Sequence, residues 1–209
     1  MAKATRRGPR GDLSLGAVVA AGRSLALTSS APVTLRAVAR QLDVLPNALY
    51  TYVTSTEQLR HLVGDALLAD IDLTGLTQDP CPSCAVAAVV AQVERLFVDH
   101  PGVAALFAAG RIIGRHSLAL NEGLLGCLTR AGLELAEASR AVSLLTTLLH
   151  GTATLAGTDE LTDQDRAQLS DIDPADYPLT AGTPTTDDQL ADDAVRILRA
   201  FGVPDCQDP

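Results

Sequence analysis

Two of the three tyrosines in the chain, Tyr50 and Tyr52, stand two residues apart in VARQLDVLPNALYTYV, residues 38 to 53. A tyrosine can lay its ring on a sugar or a thymine methyl while its hydroxyl reaches a phosphate oxygen. The pair therefore suits the surface of a nucleic acid. The charge distribution agrees. Lys3, Arg6, Arg7, Arg10, Arg23, Arg36, Arg40 and Arg60 face only Asp12, Asp43 and Glu57 in the first 60 positions, although the whole chain carries a net charge of −9. Such a division gives a basic head for a polyanion and an acidic, solubilising body.

Other reactive side chains assemble less. Cys81 and Cys84 make a C-x-x-C pair, and a thiol near a helix start can become more acidic, which leaves open a thiol-redox-responsive protein. Zinc would need two more ligands, and neither Cys127 nor Cys206 comes as a second pair. The thioredoxin use of this spacing needs a βαβ context that is absent, so the pair reads first as part of a Pro-rich linker. No metal or cofactor set is assembled. There is no G-x-S-x-G, no H-E-x-x-H and no Gly-rich phosphate loop, which argues against an enzyme.

The elements that must position the tyrosines follow from spacing. Hydrophobic residues make up 47 % of the 209 positions and aromatic residues 3 %, so the core is built from Ala, Leu and Val, which favours packed helices. Leu15, Val18, Val19, Gly22 and Leu25 have helical spacing, and SSAP then breaks the chain. Thr34 suits an N-cap for LRAVARQL, Pro46 suits the first turn of the next helix, and Ser55 can open a long amphipathic helix. At the corner Ala39 is small enough for helix contact, and Asp43 tolerates left-handed backbone angles. Three helices with this corner make a helix-turn-helix, whose second helix enters the major groove.

The stretch VTLRAVARQLDVLPNALYTYVTSTEQL resembles the DNA-binding region of the tetracycline-repressor (TetR) family of bacterial regulators. The matching elements are Thr34, Val38–Ala39, Leu42–Asp43–Val44, Leu49–Tyr50, Val53 and Ser55, and the layout of the remainder looks most like the tetracycline-repressor branch. The resemblance implies that Tyr50 touches the DNA backbone and that Leu45, Pro46, Asn47 and Ala48 approach base edges, with Thr51 and Tyr52 beside them. Of the four, only Asn47 can both donate to and accept from a base, most naturally adenine, while Leu45 and Ala48 could meet thymine methyls. Arg36 stands where the family reaches a base or phosphate. Thr56 stands where relatives commonly carry Lys, so its contact would be a hydroxyl or a helix-terminus amide. The arm bearing Lys3, Arg6, Arg7 and Arg10 would compensate along the minor groove or backbone.

The expected architecture is all-α: a basic arm at 1–11, disordered when unbound, a helix-turn-helix DNA-binding domain at 12–54, a connecting helix at 55–73 and an effector-binding and dimerisation domain at 82–209. Residues 157–188, rich in Asp, Thr and Pro, read as a mobile acidic loop with room for one helical turn. One recognition helix reads few base pairs, so a homodimer on a palindromic operator is implied, its seam formed by apolar helices near 134–156 and 190–202. By resemblance the body holds a small-molecule effector. Polar residues within its apolar helices are the candidates to line the pocket: His100, Arg111, His116, Asn121, Thr146, Thr147 and His150, with Phe97 and Phe107 as walls. The family's drug-binding His falls on Asp72, so a different, largely apolar effector is expected. An architectural DNA binder without effector stays open beside the ligand-released repressor. No apolar run approaches the ~20 residues of a membrane span, and no signal core follows the basic start, so a soluble cytoplasmic protein is expected.

Overall fold

The computed structural model describes residues 13–155, 162–170, 172–181 and 190–205. The basic arm with Lys3, Arg6, Arg7 and Arg10 lies outside the described residues, as do 157–161, 171 and 182–188 of the acidic segment. Among the described residues every regular element is helical: α1 (Leu15–Thr28), α2 (Leu35–Gln41), α3 (Pro46–Leu49), α4 (Thr56–Leu68), α5 (Gly75–Gln78), α6 (Pro82–Asp99), α7 (Pro101–Ala108), α8 (Arg115–Arg130), α9 (Leu135–Leu155), α10 (Asp163–Ser170), α11 (Pro178–Ala181) and α12 (Leu190–Ala200). Among these residues no helix is long and apolar enough to cross a membrane.

Short polar side chains set the starts of the first helices. The hydroxyls of Ser14, Thr34 and Ser55 accept from the backbone N–H groups of Ala17, Ala37 and Gln58 at 3.1, 3.1 and 3.0 Å. Each satisfies a donor that the first turn leaves without a partner. Thr34→Ala should therefore cost about 1 kcal/mol of stability, read as a lower midpoint in a urea melt followed by circular dichroism. Pro46 opens α3, and Asp43 takes the left-handed conformation at φ 53° that the corner needs.

Four elements differ from the expected boundaries. α4 stops at Leu68 rather than 73, because the backbone beyond it takes other partners: Asp72 N–H donates to Gln92 Oε1 at 2.8 Å, and Thr74 N–H to Asp72 Oδ1 at 2.9 Å. α6 begins at Pro82, inside the supposed linker, with Cys81 as its cap. α5 was not signalled by periodicity, being one turn long. The acidic segment holds more helix than one turn. Thr162 and Asp165 cap α10 reciprocally, Thr162 N–H donating to Asp165 Oδ2 at 2.9 Å and Asp165 N–H to Thr162 Oγ1 at 3.2 Å.

Two cores divide the molecule. The first joins α1–α4 to Val93 and Phe97 of α6, to α7, to Ile112 and to Ala153 of α9. The second joins α5, α6, α8, α9 and α12 through residues such as Val86, Leu128, Leu145 and Leu198. The head's core thus runs into the body through α7, which packs on both α1 and α9.

Candidate nucleic-acid interface

The corner helix is held from beneath and bare above. Leu49 and Val53 are fully buried with Val38 and Ala39, pinning α3 to α2 and the rest of the head. On the outer side Leu45 is 77 % exposed and Tyr50 55 %, with Asn47 and Thr51 exposed beside them. An exposed leucine next to a tyrosine gains nothing in water, so this face is shaped for a surface that is partly apolar. Arg36 and Arg40 project from exposed positions of α2, and Thr56 is exposed at the first turn of α4. Pro46 and Ala48 are half-buried. Asn47, Tyr50, Thr51 and Arg36 are thus all exposed on the head and offer donors, acceptors and charge.

Tyr52 does not belong to it, which corrects the sequence expectation. Its hydroxyl donates to the Leu13 carbonyl at 2.7 Å and its ring packs on the first core. Two residues along a single helical turn point nearly opposite ways, so Tyr50 faces out and Tyr52 clamps the start of α1. Alternating apolar residues could have indicated this, since Tyr52 precedes the buried Val53.

The nine residues expected to line an effector pocket are not brought together. Phe97 and Phe107 are buried with ring centroids 5.2 Å apart, filling core against each other. His100 Nδ1 meets the Leu27 carbonyl at 2.9 Å. His116 Nδ1 pairs with Asp65 Oδ2 at 3.0 Å. Arg111 and Asn121 are exposed, and the Arg111 carbonyl accepts from Arg60 at 2.9 Å. Thr146 and Thr147 donate back to Val142 and Ser143 within α9, and His150 Nδ1 lies 3.0 Å from the Thr146 carbonyl. Asp72, where the family's drug-binding His would fall, has its carboxyl held below the usual range by the backbone N–H and hydroxyl of Thr74.

Two hollows stand open instead. One, of about 250 Å³, lies between Leu67 of α4, Asp70 and Ile71 just after it, and Gln92, Arg95, Leu96 and Asp99 of α6, and ends at His100. Two of its walls hold the head, since Asp70 pairs with Arg23 of α1 and His100 meets the α1 carbonyl of Leu27. The other, of about 400 Å³, is bounded by Ser139, Arg140, Ser143, Leu144, Thr147 and Phe201 on α9 and after α12. Of the expected lining residues only His100 and Thr147 reach either hollow.

A network that sequence reasoning missed ties α4 to the first turn of α8 and the segment before it. Asp65 accepts from the N–H groups of His116 and Ser117, both at 2.9 Å. Arg60 donates to the carbonyls of Gly110 and Arg111 at 2.7 and 2.9 Å, and Ile113 N–H donates to His61 Nδ1 at 3.1 Å. Backbone partners some fifty residues away leave no trace in local spacing.

Comparison with known proteins places the chain in context. The family profile described as tetracyclin repressor-like, C-terminal domain, matches residues 85–198, more than half of the chain. An HTH-type transcriptional regulator of Saccharopolyspora erythraea is 26 % identical over 153 residues, which cover 71 % of this chain and 64 % of that relative. The chain thus spans just under two thirds of the length of the curated relative it matches. The crystal structure of a transcription regulator from Streptomyces coelicolor is 27 % identical, covers 95 % of this chain and 98 % of its own, and superposes with a TM-score of 0.68. ActR from Streptomyces coelicolor, in complex with (S)-DNPA, is 20 % identical, covers 90 % and 98 %, and superposes with a TM-score of 0.73, a likeness of fold.

Proposed function

The chain belongs to the tetracycline-repressor (TetR) family of DNA-binding transcription regulators, and on that premise we propose that it is a dimeric repressor released from a palindromic operator by a small molecule. The observation that carries this reading is the bare outer face of α3, with Leu45, Asn47, Tyr50 and Thr51 exposed over the buried Leu49 and Val53. Leu45 meets a thymine methyl, Asn47 a base edge, and Tyr50, Arg36 and Thr56 the backbone. Asn47→Ala should cost roughly 1–3 kcal/mol on the cognate site and relax preference at one base pair, measured by fluorescence anisotropy on a panel of single-base operator variants.

What supports the dimer is apolar surface left open on α9. Leu144 and Leu155 are 50 % and 60 % exposed, three turns apart, with Gly151 between them. Mid-helix glycine costs about 1 kcal/mol against alanine, yet a side chain at Gly151 would meet nothing within 4 Å. A second chain approaching closely would give that glycine a use. α12 adds Phe201 to the same hollow, so two copies of α9 and α12 form a four-helix seam.

For release, the hollow beside α4 is the preferred effector site. A ligand there meets Asp70 and His100, the two residues that hold α1, and so distinguishes head positions by its own contacts. ActR, similar in fold, carries a small molecule in its structure, which supports effector binding as the mode of control. The decisive experiment is a gel-shift titration on the gene's own upstream DNA. A discrete complex that weakens linearly on a log–log salt plot, and that scrambled DNA does not form, is expected. Equal affinity for scrambled DNA would reduce the protein to an architectural binder, and a thermal-shift screen with no stabilising small molecule would remove the effector.

A further inference from the structure

We propose that Cys81, Cys84 and Asp205 form a site for a zinc-class divalent cation once the two sulfurs are reduced. Nothing in the DNA head or the effector hollow uses these residues. The sequence places two potential ligands together and leaves the set incomplete. The fold supplies the third from the other end of the chain, where the ligand atoms of Cys81, Cys84 and Asp205 all lie within 4.8 Å of one another.

The surroundings are those of a thiolate site. Cys81 caps α6, and its Sγ accepts the N–H of Cys84 at 3.4 Å. That bond and the amino-terminal end of an 18-residue helix both stabilise negative charge on sulfur. Two thiolates in C-x-x-C spacing are the chelating half of a tetrahedral zinc set, and a carboxylate oxygen is an accepted third donor. Asp205 is held in place twice. The fully buried Ser83 donates to the Pro204 carbonyl at 2.8 Å, and Arg199 pairs with the Asp205 carboxylate, whose side chain is 10 % exposed. Asp79 also borders the site, accepting the Cys81 N–H at 2.8 Å. All three ligand residues are half-buried, and a three-residue set of this kind takes water as its fourth ligand. Cys127 is not in the set, and burial pushes its thiol up, away from the reactive thiolate.

In this structure Cys81 and Cys84 are joined as a disulfide. Reduction by a phosphine or dithiol transfers two electrons, breaks the S–S bond and delivers two protons to give two thiols. Binding of the cation then releases those two protons. The bound ion would tie the end of α12 to the start of α6.

The test uses the full-length protein, reduced with a phosphine under anaerobic conditions and titrated first with Co²⁺ and then with Zn²⁺. Expected are a thiolate-to-cobalt absorption band that saturates at one ion per chain and its displacement by one equivalent of Zn²⁺. C81S/C84S should abolish the band. D205N should weaken Zn²⁺ by about tenfold or more, because even outer-sphere partners of metal sites are worth 10–100-fold. Circular dichroism checks that both variants stay helical, and D205N alone carries the test if the double variant does not. No band in the reduced protein, a band that survives in C81S/C84S, or D205N with unchanged affinity would each overturn the proposal. Thiols that cycle reversibly without taking up metal would overturn it too.

Discussion

Gly102→Ala is expected to lower stability by about 3 kcal/mol, the upper end for an overfilled core. A Cβ built at Gly102 falls 2.0 Å from the Ser29 carbonyl oxygen and 2.7 Å from that of Ala26. Both are backbone atoms at the end of α1, so neither can swing aside as a side chain would. The surroundings are closed as well: Ala26 and Val103 are fully buried, and His100 reaches the Leu27 carbonyl. Making room means prying α7 from α1 and losing packing on both sides, which is how overfilled cores fail. For a chain of this size the penalty corresponds to a fall of roughly 6–12 °C in melting midpoint. Gly75→Ala is the control, since a Cβ there meets nothing within 4 Å. Scanning calorimetry of the two variants decides the matter, and a Gly102→Ala midpoint within a degree of wild type would refute the argument. Because α7 is where the body grips the head, the same variant should bind operator DNA more weakly even below its melting range.

How much of this was legible beforehand depends on the range of each interaction. The caps Thr34 and Ser55 were readable because each acts on a group three residues away, and their chemistry is local. Asp43 was readable for the same reason: few residues other than glycine accept φ 53°. Tyr52 was misplaced because its type suits a phosphate and a core equally, and only the position of Leu13 decides between them. The residues expected to line a pocket are scattered for a related reason. A polar residue in an apolar helix needs a partner, but helical spacing does not say which one, and His150 and Thr146 found theirs four residues back in the same helix. Asp205 illustrates the limit, since the periodicity of α12 gives no hint that the chain beyond it returns to Cys81.

Asp65→Ala is the second large effect, expected to cost about 3 kcal/mol from three lost hydrogen bonds and the donors left behind. The Asp65 carboxylate, with 15 % of its side chain exposed, accepts from His116 N–H, Ser117 N–H and His116 Nδ1. The two amides belong to the first turn of α8, which has no other acceptor within its own helix, and the helix end itself favours a negative charge there. Alanine removes the acceptor and leaves these part-buried donors without it. Asn in the same place keeps an acceptor oxygen but loses the charge, so Asp65→Asn should retain roughly half of the stabilisation. Urea melts of the two variants check the order, and equal losses would show that charge contributes nothing. The consequence for function follows from where the bond sits. α4 carries the head, through Thr56 and the first core, and Asp65 fastens that helix to the body beside Arg60 and its two loop carbonyls. Loosening the fastening lets each head drift relative to the other in the proposed dimer. A single half-site does not sense that drift, while a palindrome requires both heads at one spacing. Asp65→Asn should therefore weaken binding to a full operator more than to an isolated half-site, compared by anisotropy at one salt concentration. Equal weakening on both would place the loss in the head itself and remove α4 as the element that sets the spacing.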